Sequence, residues 1–171
     1  MRIVIKKFTE LTTEELYQIL KLRSDVFIVE QQCPYPDCDD RDRKAHHLFV
    51  EKNGHIWGCL RILDKGQEFD EISIGRVAVH YEYRGIGLAR HMMKKALFFI
   101  TNYLDKDIVK ISAQLYLEGF YESLGFKRIS DKYLQDGIAH VDMVYFMMDA
   151  EEDQPSAEEE MGIEPPTGIL I

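Results

Sequence analysis

The stretch "VAVHYEYRGIGLARHM", residues 77 to 92, constrains the chain more than any other. An apolar run that alternates like a strand stops at Arg84-Gly85-Ile86-Gly87, and apolar residues resume at helical spacing from Leu88. A strand that turns directly into a helix leaves the first-turn N–H groups of that helix without carbonyl partners one turn back. The helix dipole adds roughly half a positive charge at the same place. Such a junction is an anion site, and phosphate is its usual guest. Gly85 and Gly87 carry no Cβ, so backbone can approach an oxyanion closely, and Arg84 supplies charge from the side. A plain turn that merely needs glycine is the other reading of the segment.

Nucleotide loops fit less well. A dinucleotide fingerprint G-x-G-x-x-G counted from Gly85 puts Arg90 where the third glycine should allow tight helix–strand packing. A P-loop needs G-x4-G-K followed by Ser or Thr, which is absent.

The flanking segments suggest a mixed architecture. Residues 2–8 are rich in β-branched side chains and read as a strand. Thr12 and Glu15 form a capping box, with Leu16, Ile19, Leu20 and Phe27 on one face of the helix that follows. That helix should fade before Pro34. Residues 46–63 read as a hairpin turned at Asn53-Gly54, where both positions tolerate positive φ. A strand over 71–80 leads to a helix over 88–104, whose buried face carries Met92, Ala96, Leu97 and Ile100. A strand over 107–115, a short helix over 117–126 ending at Gly125 and a strand over 137–147 complete the order β-α-β-β-β-α-β-α-β. Doubly wound folds alternate more strictly, so a mixed α/β (α+β) sheet flanked by helices is expected.

Charge is unevenly spread. The formal net charge is −9, yet eight of the 30 acidic side chains fall in residues 149–171, which hold no Lys or Arg. The remaining 22 acids face 21 bases, so the body is nearly neutral and argues against nucleic acid as a partner. A domain over residues 1–148 and an acidic tail over 149–171, flexible or peripherally docked, are expected. The apolar end of that tail, "GILI", suits docking on the body or on a neighbouring chain, and a homodimer is left open. Without a bilayer-length apolar run or a secretory leader, a cytoplasmic location with no membrane partner is expected.

Three cysteines, Cys33, Cys38 and Cys59, are too few and odd in number for a disulfide framework. Their spacing with the adjacent pair His46-His47 does not match zinc sites, and the loop with Asp37, Asp39, Asp40 and Asp42 lacks the glycine of a calcium loop. No metal is expected. That acidic loop is a candidate substrate-side wall whose carboxylates would favour a cationic substrate.

"RGIGLA" matches the R-x-x-G-x-G/A motif of the GNAT superfamily of acyl-CoA N-acyltransferases, in the right setting between strand and helix. "VAVHYEY" is similar to that family's bulged fourth strand, and "GFYESLGF" to its later helix. With "SDVFIVEQQCPYPDCD", "ISAQLYLEGFYESLGF" and "DGIAHVDM", the chain over about residues 1–148 resembles ElaA-like N-acetyltransferases.

The resemblance implies a GNAT-like fold with a central mixed, mostly antiparallel sheet. It implies transfer of acetyl from acetyl-CoA to a small-molecule or peptide primary amine by direct attack in a ternary complex. Amides of Gly85, Ile86, Gly87, Leu88 and Ala89 would hold the pyrophosphate, and Val77, Ala78 and Val79 the pantetheine arm. Gln114 stands where relatives touch the cofactor, and Tyr121 would protonate the leaving thiolate. Glu30 and His80 are candidate bases or water-relay partners, and His140 is a candidate for facing the acceptor pocket. A non-catalytic acyl-CoA-binding module on the same fold is the alternative, separated by whether activity depends on Tyr121.

Overall fold

A computed structural model of the chain describes residues 1–147. The acidic tail expected over 149–171 lies outside the described residues, as does residue 148. The strands are β1 (Arg2–Lys7), β2 (His46–Lys52), β3 (His55–Leu63), β4 (Ile72–Val79), β5 (Ile108–Gln114), β6 (Lys127–Arg128), β7 (Tyr133–Gln135) and β8 (Ile138–Phe146). The helices are α1 (Thr13–Arg23), α2 (Leu88–Leu104) and α3 (Glu118–Glu122). Sheet order is β1-β2-β3-β4-β5-β8-β6, with β7 also on β8. Every pairing is antiparallel except β4 with β5. Among the described residues no helix is long and apolar enough to cross a membrane.

Local chemistry sets the element ends. Thr12 Oγ1 accepts from the Glu15 N–H at 3.1 Å, and Glu15 accepts from the Thr12 N–H at 2.8 Å, closing the expected capping box. Asn53 (φ 55°) and Gly54 (φ 77°) make the two-residue turn between β2 and β3. After α1 the chain continues as a π-helical segment, Ser24–Glu30, which ends before Pro34 as expected and places Gln31 within reach of Gln114 on β5. The buried face of the two holds Ile19, Leu22 and Val26, so the expected stripe of Leu16, Leu20 and Phe27 lies partly exposed beside it. Asp136 (φ 50°) and Gly137 (φ 79°) turn a second hairpin, β7–β8, whose first strand had not been expected.

Helices cover both faces of the sheet. On one face α2 buries Met92, Met93, Ala96, Leu97 and Ile100 against Leu48, Val50, Leu60, Ile62 and Ile74. Gly58 makes this approach possible, because a Cβ there would stand 2.7 Å from Met92 Sδ. On the other face α1 packs Ile19, Leu22 and Val26 onto Phe49, Ile56, Cys59 and Ala78. Each fully buried apolar side chain contributes about 1.5–3 kcal/mol, so both layers add to the stability of the sheet between them.

Two irregularities in β4 open the site. Cys59 faces Ala78 and Arg61 faces Gly75, so Leu60 opposes both Arg76 and Val77, a β-bulge with Arg76 at φ 54°. The extra residue inverts the side-chain alternation, which is why Ile74 and Val79 belong to the same core. β4 also pairs with β5 only at Ile72–Val109 and Ser73–Lys110. Beyond Ser73 the strands part, leaving a wedge at their C-terminal ends.

Candidate active site

The wedge opens into a cleft of about 110 Å³ lined by Ile74, Gly75, Arg76 and Val77 of β4 and by Ser112 and Gln114 of β5. Alternation along β5 explains its chemistry. Val109, Ile111 and Ala113 face the α2 core, so Lys110, Ser112 and Gln114 line the opposite face. On β8 the partners of Ser112 and Gln114 are Asp142 and His140, which extend the polar row.

The parted edge of β4 offers backbone to a ligand. The His80 N–H donates to Trp57 O on β3 at 2.9 Å, so alternation turns the polar groups of Val79 and Val77 toward the wedge and those of Ala78 toward β3. The Val79 carbonyl already accepts from Arg84 Nε at 2.8 Å.

At the end of β4 the chain makes a short turn, Tyr81–Tyr83, and enters α2. Gly85 (φ 77°) and Gly87 (φ 83°) adopt left-handed backbone, and a Cβ on either would meet open space. Among the described residues no hydrogen bond is made by the N–H groups of residues 85–89. These amides, gathered at the positive end of a 17-residue helix, form an anion cradle. Arg84 stands beside it, with Nη2 2.8 Å from a Glu30 carboxylate oxygen.

Tyr121 lines the cleft from α3. Phe120 and Phe126 hold its ring edge-on at 5.1 and 5.8 Å. Burial, with a smaller effect of Tyr116, pushes the phenol far above its ordinary value. Among the described residues nothing hydrogen-bonds its hydroxyl, so a neutral O–H donor is available to whatever occupies the cleft.

Several expected residues sit elsewhere or are already engaged. Glu30 does not line the cleft and is held by Arg84. His80 lines a separate surface depression with Tyr17, Leu22, Ile56 and Trp57, and its ring rests against Trp57 at 5.0 Å and Tyr81 at 4.5 Å. The Gln114 amide is in the cleft, paired reciprocally with Gln31 at 3.0 and 3.2 Å. His140 also lines the cleft.

The acidic loop does not present the charge expected of it. Asp37 and Asp42 are buried and bind Arg23 at 2.8 and 2.6 Å. Asp39 binds Arg61 at 2.7 Å, and Arg76 reaches Asp37 at 2.7 Å. Burial alone would raise the Asp39 carboxyl, but Arg61 outweighs it and holds the group at about 2. Arg23 and Arg61 likewise overcome the burial of Asp42 and lower it. Three carboxylates thus neutralise three guanidiniums inside the fold, and only Asp40 remains well exposed. Among the described residues no group of three or more His, Cys, Asp or Glu is placed to hold a metal ion.

A family model, "Acetyltransferase (GNAT) domain", matches residues 11–146, the span that holds the cradle, the parted strand edge and the phenol. The chain belongs to the GNAT acetyltransferase family. It is 39% identical to a UPF0039 protein of Schizosaccharomyces pombe over 145 residues, covering 84% of this chain and 95% of that one. It is 36% identical to the protein ElaA of Escherichia coli over 137 residues, 79% of this chain and 90% of ElaA. An acyl-CoA N-acyltransferase of Pseudomonas aeruginosa superposes with a TM-score of 0.79 at 36% identity, over 85% of this chain and 99% of that structure. The GNAT fold expected from the sequence is therefore the fold found, and the protein is an acyl-CoA N-acyltransferase.

Acyl-CoA, the donor substrate of this fold, brings a thioester, a diphosphate and an arm with two amides. The free amides of residues 85–89 fit the diphosphate, and the wedge-facing edge of Val77 and Val79 fits the arm.

Proposed function

We propose that the protein transfers an acetyl group from acetyl-CoA to a primary amine by direct attack within a ternary complex. The observation that carries this reading is the unpartnered Tyr121 hydroxyl facing the cleft where β4 and β5 part. Amides of Gly85, Ile86, Gly87, Leu88 and Ala89 bind the pyrophosphate, with Arg84 at their side. Backbone of Val77 and Val79 pairs with the pantetheine arm, while Ala78, turned to β3, supports it from behind. An N–H of the same strand polarises the thioester carbonyl and stabilises the oxyanion.

The amine enters from the face that carries Gln31, Ser112, Gln114 and His140. As the C–S bond breaks, the Tyr121 O–H protonates the sulfur. No cysteine nucleophile takes part: the attacking group is the amine itself, Cys33 in the cleft gives its thiol hydrogen to Asp136 O, and Cys59 is buried in the core. Glu30, held by Arg84 outside the cleft, takes no proton in this scheme.

The test is a panel of primary amines, neutral and charged, incubated with acetyl-CoA, with both CoA thiol and N-acetyl product measured. Release of thiol matched by amide supports the reading. Acyl-CoA binding with no amide from any amine would sink it.

A further inference from the structure

We propose that His140 is the general base of the transfer and takes the proton of the acceptor amine at Nε2. This rests on the amine acetylation proposed above and supplies the group that makes the amine nucleophilic.

The ring is held in one tautomer by its own hairpin. His140 Nδ1 lies 2.8 Å from the Ile138 carbonyl oxygen, and a carbonyl can only accept, so Nδ1 carries the hydrogen. A neutral imidazole then leaves the Nε2 lone pair bare, and His140 lines the same cleft as Tyr121.

Its orientation is fixed from both neighbouring strands. Gln114 on β5 and Tyr133 on β7 are its register partners. The Tyr133 ring lies 6.1 Å away and 23° from parallel. That ring is itself anchored, because its hydroxyl donates to Asp142 Oδ1 at 2.7 Å and stands 2.5 Å from Ser112 Oγ. A histidine pinned at its backbone side and stacked on an anchored ring has little freedom except at the edge facing the cleft.

The other ionisable groups at the cleft are poorly suited to take this proton. Arg76 of β4 is a permanent cation bound to Asp37. Tyr35 gives its hydroxyl to Asp37, and Cys33 gives its thiol hydrogen to Asp136 O. Asp136 sits at the exposed hairpin turn, and Asp142 reaches the cleft only through Tyr133 and Ser112. Imidazole is the side chain whose basicity suits an amine proton near neutral pH.

The step balances as follows. The amine lone pair forms the C–N bond at the thioester carbon, and its N–H proton passes to His140 Nε2. The C–S bond breaks with its electron pair going to sulfur, which takes the Tyr121 proton. Solvent carries the imidazolium proton back to the phenolate, leaving amide and CoA thiol.

The experiment uses acetyl-CoA and n-butylamine as probes with the full-length chain, following amide product. His140→Ala should lower kcat on the order of 100-fold, leave the KM for acetyl-CoA within about twofold, and recover rate on addition of imidazole. Recovery should rise with pH as the added imidazole loses its proton. Full activity in His140→Ala, or a loss that imidazole does not restore in a natively folded variant, would overturn the assignment. Nitrogen-15 NMR of the unmodified protein gives a reading independent of turnover: Nδ1 protonated and Nε2 bare supports it, and the reverse tautomer overturns it. A wild-type protein inert to every amine would overturn amine transfer itself, and the two failures are distinguished.

Discussion

Arg84 spans two groups at once, with Nε 2.8 Å from the Val79 carbonyl and Nη2 2.8 Å from Glu30. It joins the end of the helical segment after α1 to the β4 edge proposed to pair with the pantetheine arm. A carboxylate so placed competes with phosphate for the guanidinium and adds unfavourable charge beside the cradle. Glu30→Gln should therefore lower the KM for acetyl-CoA a few-fold, on the scale of a partly exposed ion pair worth about 0.2–1 kcal/mol. Because Glu30 lies outside the cleft, kcat should stay within about twofold. Steady-state kinetics against both substrates check this, and a fall in kcat of about 100-fold would restore Glu30 as a base.

Tyr121 separates chemistry from packing. Its ring fills the space between Phe120 and Phe126, while its hydroxyl has no partner among the described residues. Tyr121→Phe should leave the melting temperature and the affinity for acetyl-CoA unchanged. Turnover should fall by about 100-fold or more, the range of a lost general acid. Burial raises the phenol, so the wild-type acid stays protonated through neutral and mildly alkaline pH, and its loss should be a constant factor between pH 6 and 9. Calorimetry and a pH–rate profile for both proteins provide the comparison.

The cradle depends on backbone that only glycine adopts easily. Gly87 at φ 83° caps α2 and a Cβ there points into open space, the space assigned to phosphate. Gly87→Ala should cost roughly 1–2 kcal/mol of stability from left-handed strain. Gly87→Asp adds a carboxylate beside the diphosphate and should abolish measurable CoA binding by calorimetry. Equal CoA affinity in Gly87→Asp and wild type would remove the pyrophosphate from this loop.

What could be read from the sequence was local, and what could not was distributed. Thr12 with Glu15, Asn53 with Gly54, and Gly85 with Gly87 each declare a conformation within four residues, and each was found. The α2 face was legible for the same reason, since a 3.6-residue period needs no partner to be seen. The acidic loop was misleading because its partners Arg23, Arg61 and Arg76 come from α1, β3 and β4 and are far apart in the chain. Nothing in "GRVAV" announces that Arg76 takes a positive φ, so the bulge could be expected only from resemblance. Two signals were present but passed over. "VKISAQ" alternates strictly, which places Ser112 and Gln114 on one face, and Asp136-Gly137 is as strong a hairpin sequence as Asn53-Gly54.

The buried network predicts how the protein meets acid. Burial lowers His46 and His47 below the ordinary imidazole value of 6.5, so the unfolded chain binds protons there first. Stability from these two is complete above about pH 6.5 and declines as pH falls through their lowered folded values. Asp39, at about 2, and Asp42, also lowered, add stability that is present above the ordinary carboxyl value and lost as pH falls toward 2. Melting temperature should therefore fall in two stages, one beginning near pH 6.5 and a second below pH 4. His47 is buried with Nε2 2.9 Å from Asp42 O, so His47→Gln, which keeps a donor without a titratable ring, should flatten the first stage. Thermal melts at half-unit steps from pH 8 to 3 decide it.

Asp42 is the node of that network, accepting from Arg23 at 2.6 and 3.1 Å and from Arg61 at 3.2 Å. Arg23 and Arg61 are each about 1% exposed, so neither can turn to water if the carboxylate is removed. Arg61 Nε already has no partner among the described residues, so there is no spare acceptor nearby. Arg23 keeps Asp37 and Arg61 keeps Asp39, so Asp42→Ala leaves the two buried guanidiniums partly compensated and should cost about 3 kcal/mol, the lower end for breaking a buried pair. Asp42→Asn keeps one acceptor and should cost less. Exposed Asp40 is 3.9 Å from Arg43 and has φ 62°, so Asp40→Ala should cost no more than about 1 kcal/mol, mainly from left-handed backbone that Ala adopts less readily than Asp. Urea unfolding of the three variants ranks them, and equal losses at Asp40 and Asp42 would mean that the loop's charges act through the surface and not through the buried guanidiniums.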